Sequence, residues 1–171
     1  MIIPTLKKQA ANFLTFTSMI LGLFSIIKSV EGDFKSSALL IIVAAIFDFS
    51  DGFVARKLNI TSKFGKFLDS NSDLISFGVA PGLLIYLSVL QQFNWIGIAV
   101  SFLFISAGVF RLARYNATEF SGSYVGVPIT IAGLLLALST FLISYIPSVT
   151  FIFITLILAW LMISTYSVKK I

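Results

Sequence analysis

The chain has 171 residues, of which 58% are hydrophobic and 11% charged, with a formal net charge of +5 and a mean hydropathy of +1.02. Because soluble domains carry about 25% charged residues, this composition excludes a soluble domain and predicts a membrane protein. The absence of cysteine and histidine from the sequence excludes disulfide scaffolds, thiolate or imidazole metal ligands and histidine-based catalytic triads.

Six apolar runs, each long enough for a helix, are separated by short polar breaks. They predict an all-α fold with six transmembrane helices, since the strands of a membrane barrel would alternate in polarity over about 10 residues. A short N-terminal interfacial helix is expected over residues 1–11, and residues 1–171 are expected to form one membrane domain. The predicted spans are Phe13–Ile27, Ala38–Ala55, Leu68–Leu90, Ile96–Ala113, Ile129–Ile146 and Val149–Val168.

The basic residues indicate how these spans are oriented. If the N-terminus is cytoplasmic, ten of the twelve lysines and arginines fall on that side, and only Lys28 and Lys35 fall outside. This is the bias of cytoplasmic loops, so both termini are expected in the cytoplasm of a cell-membrane protein. Because the charges are divided among several loops, they predict contact with anionic lipid and no nucleic acid partner.

Four aspartates lie inside the predicted spans, where carboxylates are costly. Asp48 and Asp51 fall in the cytoplasmic half of the second span, and Asp69 and Asp73 in the first turns of the third. An intramembrane Asp costs about 2.5 to 3.5 kcal/mol, so four cost on the order of 10 kcal/mol before their mutual repulsion is counted. Helical spacing predicts two facing stripes of acidic and small residues. The stripes are Asp48, Asp51, Gly52 and Ala55 on one helix, and Gly65, Asp69 and Asp73 on the next.

The cost of placing four aspartates in the membrane could be offset by protonation, basic partners, a proton pathway or bound cations. Arg56 and Lys66 are close in sequence, but two cations cannot neutralise four anions. Two divalent ions would balance the charge, and an all-carboxylate ligand set favours Mg²⁺ or Mn²⁺. The ordinary alternatives are pairing with basic residues or capping of the third helix. A cation or proton transporter would need acidic groups throughout the membrane depth, whereas these gather at one side.

Three glycines within the predicted spans are interpreted as packing residues. Gly22, Gly108 and Gly133 are expected to permit close contact between helices.

The aspartates and their small neighbours form the pattern Asp48-x2-Asp51-Gly52-x2-Ala55-Arg56-x8-Gly65-x3-Asp69-x3-Asp73. This pattern resembles the signature of the CDP-alcohol phosphotransferase family. The resemblance implies a six-helix membrane enzyme, usually a homodimer, that transfers a phospholipid group from a CDP-alcohol to a hydroxyl and releases CMP. It also implies that Asp48, Asp51 and Asp69 hold the metal ions, with Asp73 contacting one of them and acting as general base. The implied nucleotide and pyrophosphate pocket comprises Asn12, Thr15, Gly52, Ala55, Arg56 and Gly65.

Three further segments resemble the branch of this family that uses L-serine as acceptor. They read DSNSDLISFGVAP at 69–81, RLARYN at 111–116 and VGVPITIAG at 125–133. Ser72 stands where the branch more often has Ala, and Val127-Pro128 stands where it more often has Leu-Pro. The implied donor is CDP-diacylglycerol, or CDP-archaeol in a host with isoprenoid ether lipids.

Arg111, Arg114 and Asn116 are the candidates to bind serine, although basic residues at a helix end also serve to orient it. A sister transferase that uses glycerol 3-phosphate or an inositol phosphate is the alternative, and it would need more basic residues around the pocket.

Overall fold

The computed structural model describes the backbone of residues 2–57, 63–117, 123–165 and 167–169, and the side chains of 12–50, 52–53, 64–117 and 126–165. This part of the chain is predominantly helical, as predicted. A π-helical segment, Leu74–Val79, joins α3 to α4, and short 3-10 turns cover Leu90–Phe93 and Thr140–Leu142. The helices are α1 Ile2–Val30, α2 Phe34–Lys57, α3 Lys63–Asp73, α4 Ala80–Ser88, α5 Trp95–Ala117, α6 Ile129–Ser139 and α7 Ser148–Ile163.

The helices are accompanied by one small sheet that was not predicted. Strand β1, Ser123–Val125, pairs antiparallel with strand β2, Ser167–Lys169. The sixth predicted helix was therefore wrong at its C-terminal end: it was expected to reach Val168, but α7 ends at Ile163 and Ser164 is extended, with ψ 149°. Strands of three residues carry too little alternation of polarity to be recognised in a sequence.

The N-terminal helix and the fifth predicted span also differ from the prediction in detail. The expected interfacial helix over 1–11 is not a separate element, because α1 begins at Ile2 and is continuous to Val30. Pro4 falls in the first turn of α1, where its missing N–H removes no intrahelical hydrogen bond. The fifth predicted span, expected to reach Ile146, is helical only to Ser139 and then tightens into a 3-10 turn.

Helices α1 and α2 form a hairpin that is closed by a cluster of buried serines. Gly32 makes the turn with a φ of +81°, a conformation that L side chains rarely adopt. The hydroxyls of Ser25 and Ser29 lie 2.8 and 2.7 Å from that of Ser37. Hydrogen bonds from the Ser36 side chain and backbone lower the pKa of the Asp33 carboxyl, which caps α2.

Helix α1 also binds the helix that carries two of the aspartates. Ser72 Oγ donates to the Thr15 carbonyl and Ser76 Oγ to the Ser18 carbonyl, both at 3.0 Å. Ser18 Oγ in turn donates to the Ala44 carbonyl of α2 at 3.0 Å. Buried hydrogen bonds of this kind join helices in apolar surroundings. They hold α3 and α2 side by side.

The outer surface of the bundle is apolar, as the composition predicted. Large side chains such as Phe102, Phe153 and Trp160 are 58 to 65% exposed, which suits contact with lipid and would favour aggregation in water. Two described helices, 12–30 and 95–117, are long and apolar enough to cross a membrane by themselves, and the apolar helices Ile129–Leu142 and Ser148–Ile163 are shorter.

Candidate active site

Three of the four predicted aspartates meet at one end of the helix bundle. Asp48 lies near the C-terminal end of α2, and Asp69 and Asp73 lie one turn apart at the end of α3. One carboxylate oxygen from each lies within 4.8 Å of the other two. The side chain of Asp51 lies outside the described residues, so its place in this carboxylate cluster stays a prediction.

The electrostatics of the carboxylate cluster favour a bound cation. At an effective dielectric constant of about 20, two ionised carboxylates at this separation repel by roughly 3 kcal/mol. Asp73 Oδ1 is shielded from solvent and has no hydrogen-bond partner among the described residues. Because a buried acceptor without a partner is costly, and oxygen ligands suit hard divalent ions, the residues fit Mg²⁺ or Mn²⁺.

A cavity of about 740 Å³ opens beside the carboxylate cluster, and its lining is partly polar and partly apolar. The polar lining includes Asp48, Asp69 and Asp73 together with Ser70, Arg111 and Thr130. Much of the remaining lining is apolar and comes from α2 and α6. These apolar side chains are Ile42, Ala45, Ile46, Phe49, Ile131 and Leu134. The cavity therefore suits a ligand that has a polar head and an apolar tail.

A π-helical segment begins directly after Asp73, and α6 packs closely against it. A Cβ atom added to Gly133 would collide with the Phe77 backbone, and one added to Gly22 would lie 2.5 Å from Ser76 Oγ. A Cβ on Gly108 would meet Ile129 Cδ1 at 2.7 Å. The prediction that these glycines permit close helix contact is confirmed. Single-turn π segments are frequently found at functional sites.

Two polar residues of the site were missed by sequence reasoning. Thr130 Oγ1 donates to Asp48 Oδ2 at 3.5 Å, and Ser70 is buried next to Asp69. Thr130 lies in the first turn of α6, one turn before Gly133, so the close approach of α6 brings it to Asp48. The contact joins residues 82 positions apart, and no spacing within the sequence could have indicated it.

The three residues expected to bind serine have different surroundings. Arg111 is buried and lines the cavity. Asn116 Nδ2 donates to Ser70 Oγ at 3.0 Å, which places Asn116 behind Ser70. The Arg114 guanidinium donates to the carbonyls at the C-terminal end of α7. These bonds are 2.8 Å to Ile163, 3.3 Å to Met162 and 3.4 Å to Ser164. The structure therefore does not bring Arg114 into the cavity.

The predicted nucleotide-binding residues are described only in part. Gly52 lines the cavity, whereas Asn12, Thr15 and Gly65 are not among its described lining residues. Thr15 is buried against α3, where its carbonyl accepts the bond from Ser72. The side chains of Ala55 and Arg56 lie outside the part of the chain that the structure describes.

Comparison with known proteins identifies the family of the chain. The sequence model of the CDP-alcohol phosphatidyltransferase family matches residues 8–166, and the chain belongs to this family, whose members are membrane-embedded.

Similar proteins within the family come from both bacteria and an archaeon. The CDP-diacylglycerol–serine O-phosphatidyltransferase of Helicobacter pylori is 42% identical over 134 residues, which are 77% of this chain and 56% of that protein. The archaetidylserine synthase of Methanothermobacter thermautotrophicus is 37% identical over 153 residues, 88% of this chain and 65% of that one. The Bacillus subtilis CDP-diacylglycerol–serine O-phosphatidyltransferase is 36% identical over 129 residues, 75% and 73% of the two chains. The chain therefore matches 56% of the length of the Helicobacter protein and 65% of the length of the Methanothermobacter protein.

Proposed function

We propose that the protein transfers the phosphatidyl or archaetidyl group of a CDP-lipid to the hydroxyl of L-serine and releases CMP. The observation that carries the proposal is the carboxylate cluster in a cavity whose lining also includes many apolar side chains. This arrangement suits a donor with a charged diphosphate and greasy tails. The names of the similar proteins support serine as acceptor. They support either CDP-diacylglycerol or CDP-archaeol as donor.

Asp48 and Asp69, together with Asp51 of the sequence motif, would hold the metal ions, and Asp73 would contact one of them. When bound, a pair of Mg²⁺ or Mn²⁺ ions supplies positive charge that stabilises the diphosphate and the departing CMP. Thr130 donates to Asp48 and so orients that carboxylate. Arg56 of the motif would add hydrogen bonds to the diphosphate.

Asp73 is the proposed general base. The serine hydroxyl is too weakly acidic to ionise at neutral pH, so a proton acceptor must stand beside it during attack. Asp73 lines the cavity, and its Oδ1 atom has no hydrogen-bond partner within the described part of the chain. The serine oxygen forms a bond to the lipid-side phosphorus, the bond from that phosphorus to the CMP oxygen breaks, and Asp73 takes the hydroxyl proton.

Arg111 is the proposed site for the serine carboxylate. Its side chain is only 9% exposed and lines the same cavity as Asp73. A guanidinium donates two parallel hydrogen bonds to a carboxylate, which fixes both position and orientation. Its positive charge also compensates part of the charge of the carboxylate cluster.

The proposed membrane arrangement has six passes: α1, α2, the continuous helical stretch from α3 to α4, α5, α6 and α7. The first turns of α1 would lie at the interface, and both termini and the carboxylate cluster would face the cytoplasm. The polar headgroup of the donor would then reach the site while its tails stay in lipid. A homodimer, which the family resemblance implies, stays a prediction.

The proposal is tested by CMP release from purified protein. The protein would be incubated with CDP-diacylglycerol or CDP-archaeol, Mn²⁺ or Mg²⁺, and a panel of acceptors. L-serine is expected to support release, with the matching serine lipid as product. Release with glycerol 3-phosphate or an inositol phosphate alone would contradict the acceptor, and no release with any acceptor would contradict the enzyme assignment.

Removal of divalent ions is expected to abolish transfer. Metal ions supply several kcal/mol of charge stabilisation, so EDTA should lower the rate by about 100-fold or more. Added Mg²⁺ or Mn²⁺ should restore it, and a thermal unfolding scan in EDTA should show that the protein remains folded. Full activity after exhaustive chelation would contradict the proposed metal site.

Arg114→Ala is expected to affect stability and to spare serine binding. The variant loses hydrogen bonds from a charged donor to the end of α7, each worth about 1.5 to 3 kcal/mol. The melting temperature in detergent should fall, while KM for serine stays within about twofold of wild type. Arg111→Ala is the matched comparison and should raise KM for serine at least 10-fold. The reverse pattern would make Arg114 the serine ligand.

A further inference from the structure

A buried serine beside the carboxylate cluster has no role in the aspartate motif. Ser70 follows Asp69 on α3, is 9% exposed and lines the cavity. Its Oγ accepts a hydrogen bond from Asn116 Nδ2 at 3.0 Å. A serine hydroxyl has one proton to donate in addition to its lone pairs. Because Asn116 acts as the donor in this contact, the Ser70 proton stays available to a ligand in the cavity.

Asn116 holds Ser70 from outside the cavity. It is not among the described lining residues, and its Oδ1 atom is buried. Nδ2 reaches Ser70 from the last turns of α5, and the neighbouring Tyr115 carbonyl lies 3.5 Å from Lys66 Nζ of α3. These two contacts tie the end of α5 to α3. Asn116 can therefore influence a ligand in the cavity by fixing the Ser70 hydroxyl.

The cavity lining contains both hydrogen-bond donors and hydrogen-bond acceptors. Arg111 and Ser70 present N–H and O–H groups, whereas the carboxylate cluster presents oxygen acceptors and negative charge. An amino acid carries both kinds of charge, so its ammonium is attracted to the acceptors and its carboxylate to the donors. A carboxylate has two oxygens with about four lone-pair sites, enough for both Arg111 and Ser70.

We infer that Ser70 is a specificity-determining residue that donates a hydrogen bond to the carboxylate of the amino acid acceptor. Asn116 is a positioning residue that acts through Ser70. This inference rests on the proposed transfer to serine and adds a residue for which the motif gives no role. Asn116, which the sequence predicted to bind serine directly, would therefore act on serine through Ser70.

Steady-state kinetics of CMP release on the full chain test this inference, with serine and the CDP-lipid varied separately. Ser70→Ala is expected to raise KM for L-serine about 10-fold, since it removes a hydrogen bond to a charged group. The donor KM and kcat should stay within about twofold. Ser70→Thr retains the hydroxyl and should restore most of the serine affinity, which a purely packing role would not predict.

A double-mutant cycle tests the role of Asn116. Asn116→Ala alone should raise the serine KM, and it should add little in the Ser70→Ala background, because both changes remove the same interaction. Ser139→Ala is the control. Ser139 is not among the described lining residues of the cavity, and its Oγ donates to the Leu136 carbonyl of its own helix at 2.7 Å. The serine KM should therefore not change.

The possible outcomes separate this inference from the proposed function. An active wild type with an unchanged serine KM in Ser70→Ala would overturn the inference alone. A rise in the donor KM in place of the serine KM would also overturn it, because Ser70 would then contact the CDP-lipid. A wild type that releases no CMP with serine, although folded and supplied with Mg²⁺ or Mn²⁺, would overturn both.

Discussion

Asp73→Asn is expected to abolish transfer while the protein still folds and still binds nucleotide. Asparagine has nearly the same shape as aspartate, but its amide cannot take the proton of the serine hydroxyl. General-base catalysis contributes about 10² to 10⁴ in rate, so kcat should fall by a factor in this range. The measurement is steady-state CMP release, combined with calorimetric binding of a CDP-alcohol in the presence of Mn²⁺.

Asp48→Asn is the matched comparison for this prediction. Asp48 lies in the same carboxylate cluster and accepts from Thr130, but in the proposed mechanism it holds metal and accepts no proton. The variant is therefore expected to weaken binding of the metal and of the CDP-lipid. Equal activity in the two variants, or turnover retained in Asp73→Asn, would contradict the assignment of roles.

The carboxylate cluster was predictable because its geometry is largely local. Asp69 and Asp73 are separated by one helical turn, and a short connection brings α3 back beside α2, which carries Asp48. The energetic cost of carboxylates in an apolar chain also made them conspicuous. Hydrophobic composition and run length likewise predicted the helices, since both are properties of contiguous residues.

Features that depend on distant contacts were not predictable in the same way. Arg114 was expected to bind serine, but it donates to α7 carbonyls some 48 to 50 residues away. The pairing of β1 with β2 also joins segments that are far apart in the sequence, Ser123–Val125 and Ser167–Lys169. The end of α7 could not be located from the sequence, because no charged residue stands between Ile163 and Lys169 to mark it.

The π-helical segment depends on a distant contact as well. Leu74–Val79 has no distinguishing composition, yet it starts directly after Asp73 and is followed by α4. Ser76 and Phe77 within it contact α1 and α6, respectively. Two other helices therefore pack against the segment that follows Asp73, the proposed general base, and a change at either contact should be transmitted to Asp73.

Gly133→Ala is expected to be among the most damaging substitutions outside the carboxylate cluster. The new Cβ would collide with the carbonyl and the Cα of Phe77, and neither backbone atom can rotate away as a side chain can. Overpacking of this kind costs about 1 to 3 kcal/mol, occasionally more. Displacement of α6 would also move Thr130 from Asp48. The melting temperature in detergent and the rate of CMP release should both fall.

Gly78→Ala provides the control within the same interface. Its Cβ would meet Leu74 Cδ1 at 3.1 Å and Ile129 Cδ1 at 3.4 Å. Both are ends of flexible side chains that can shift by a few tenths of an ångström, so this variant should remain close to wild type in stability and activity. A Gly133→Ala protein with wild-type melting temperature and activity would show that the contact of α6 with the π-helical segment does not position the site. Equal loss in both variants would point to general crowding of the interface, because a backbone obstacle and a flexible side-chain obstacle would then have the same effect.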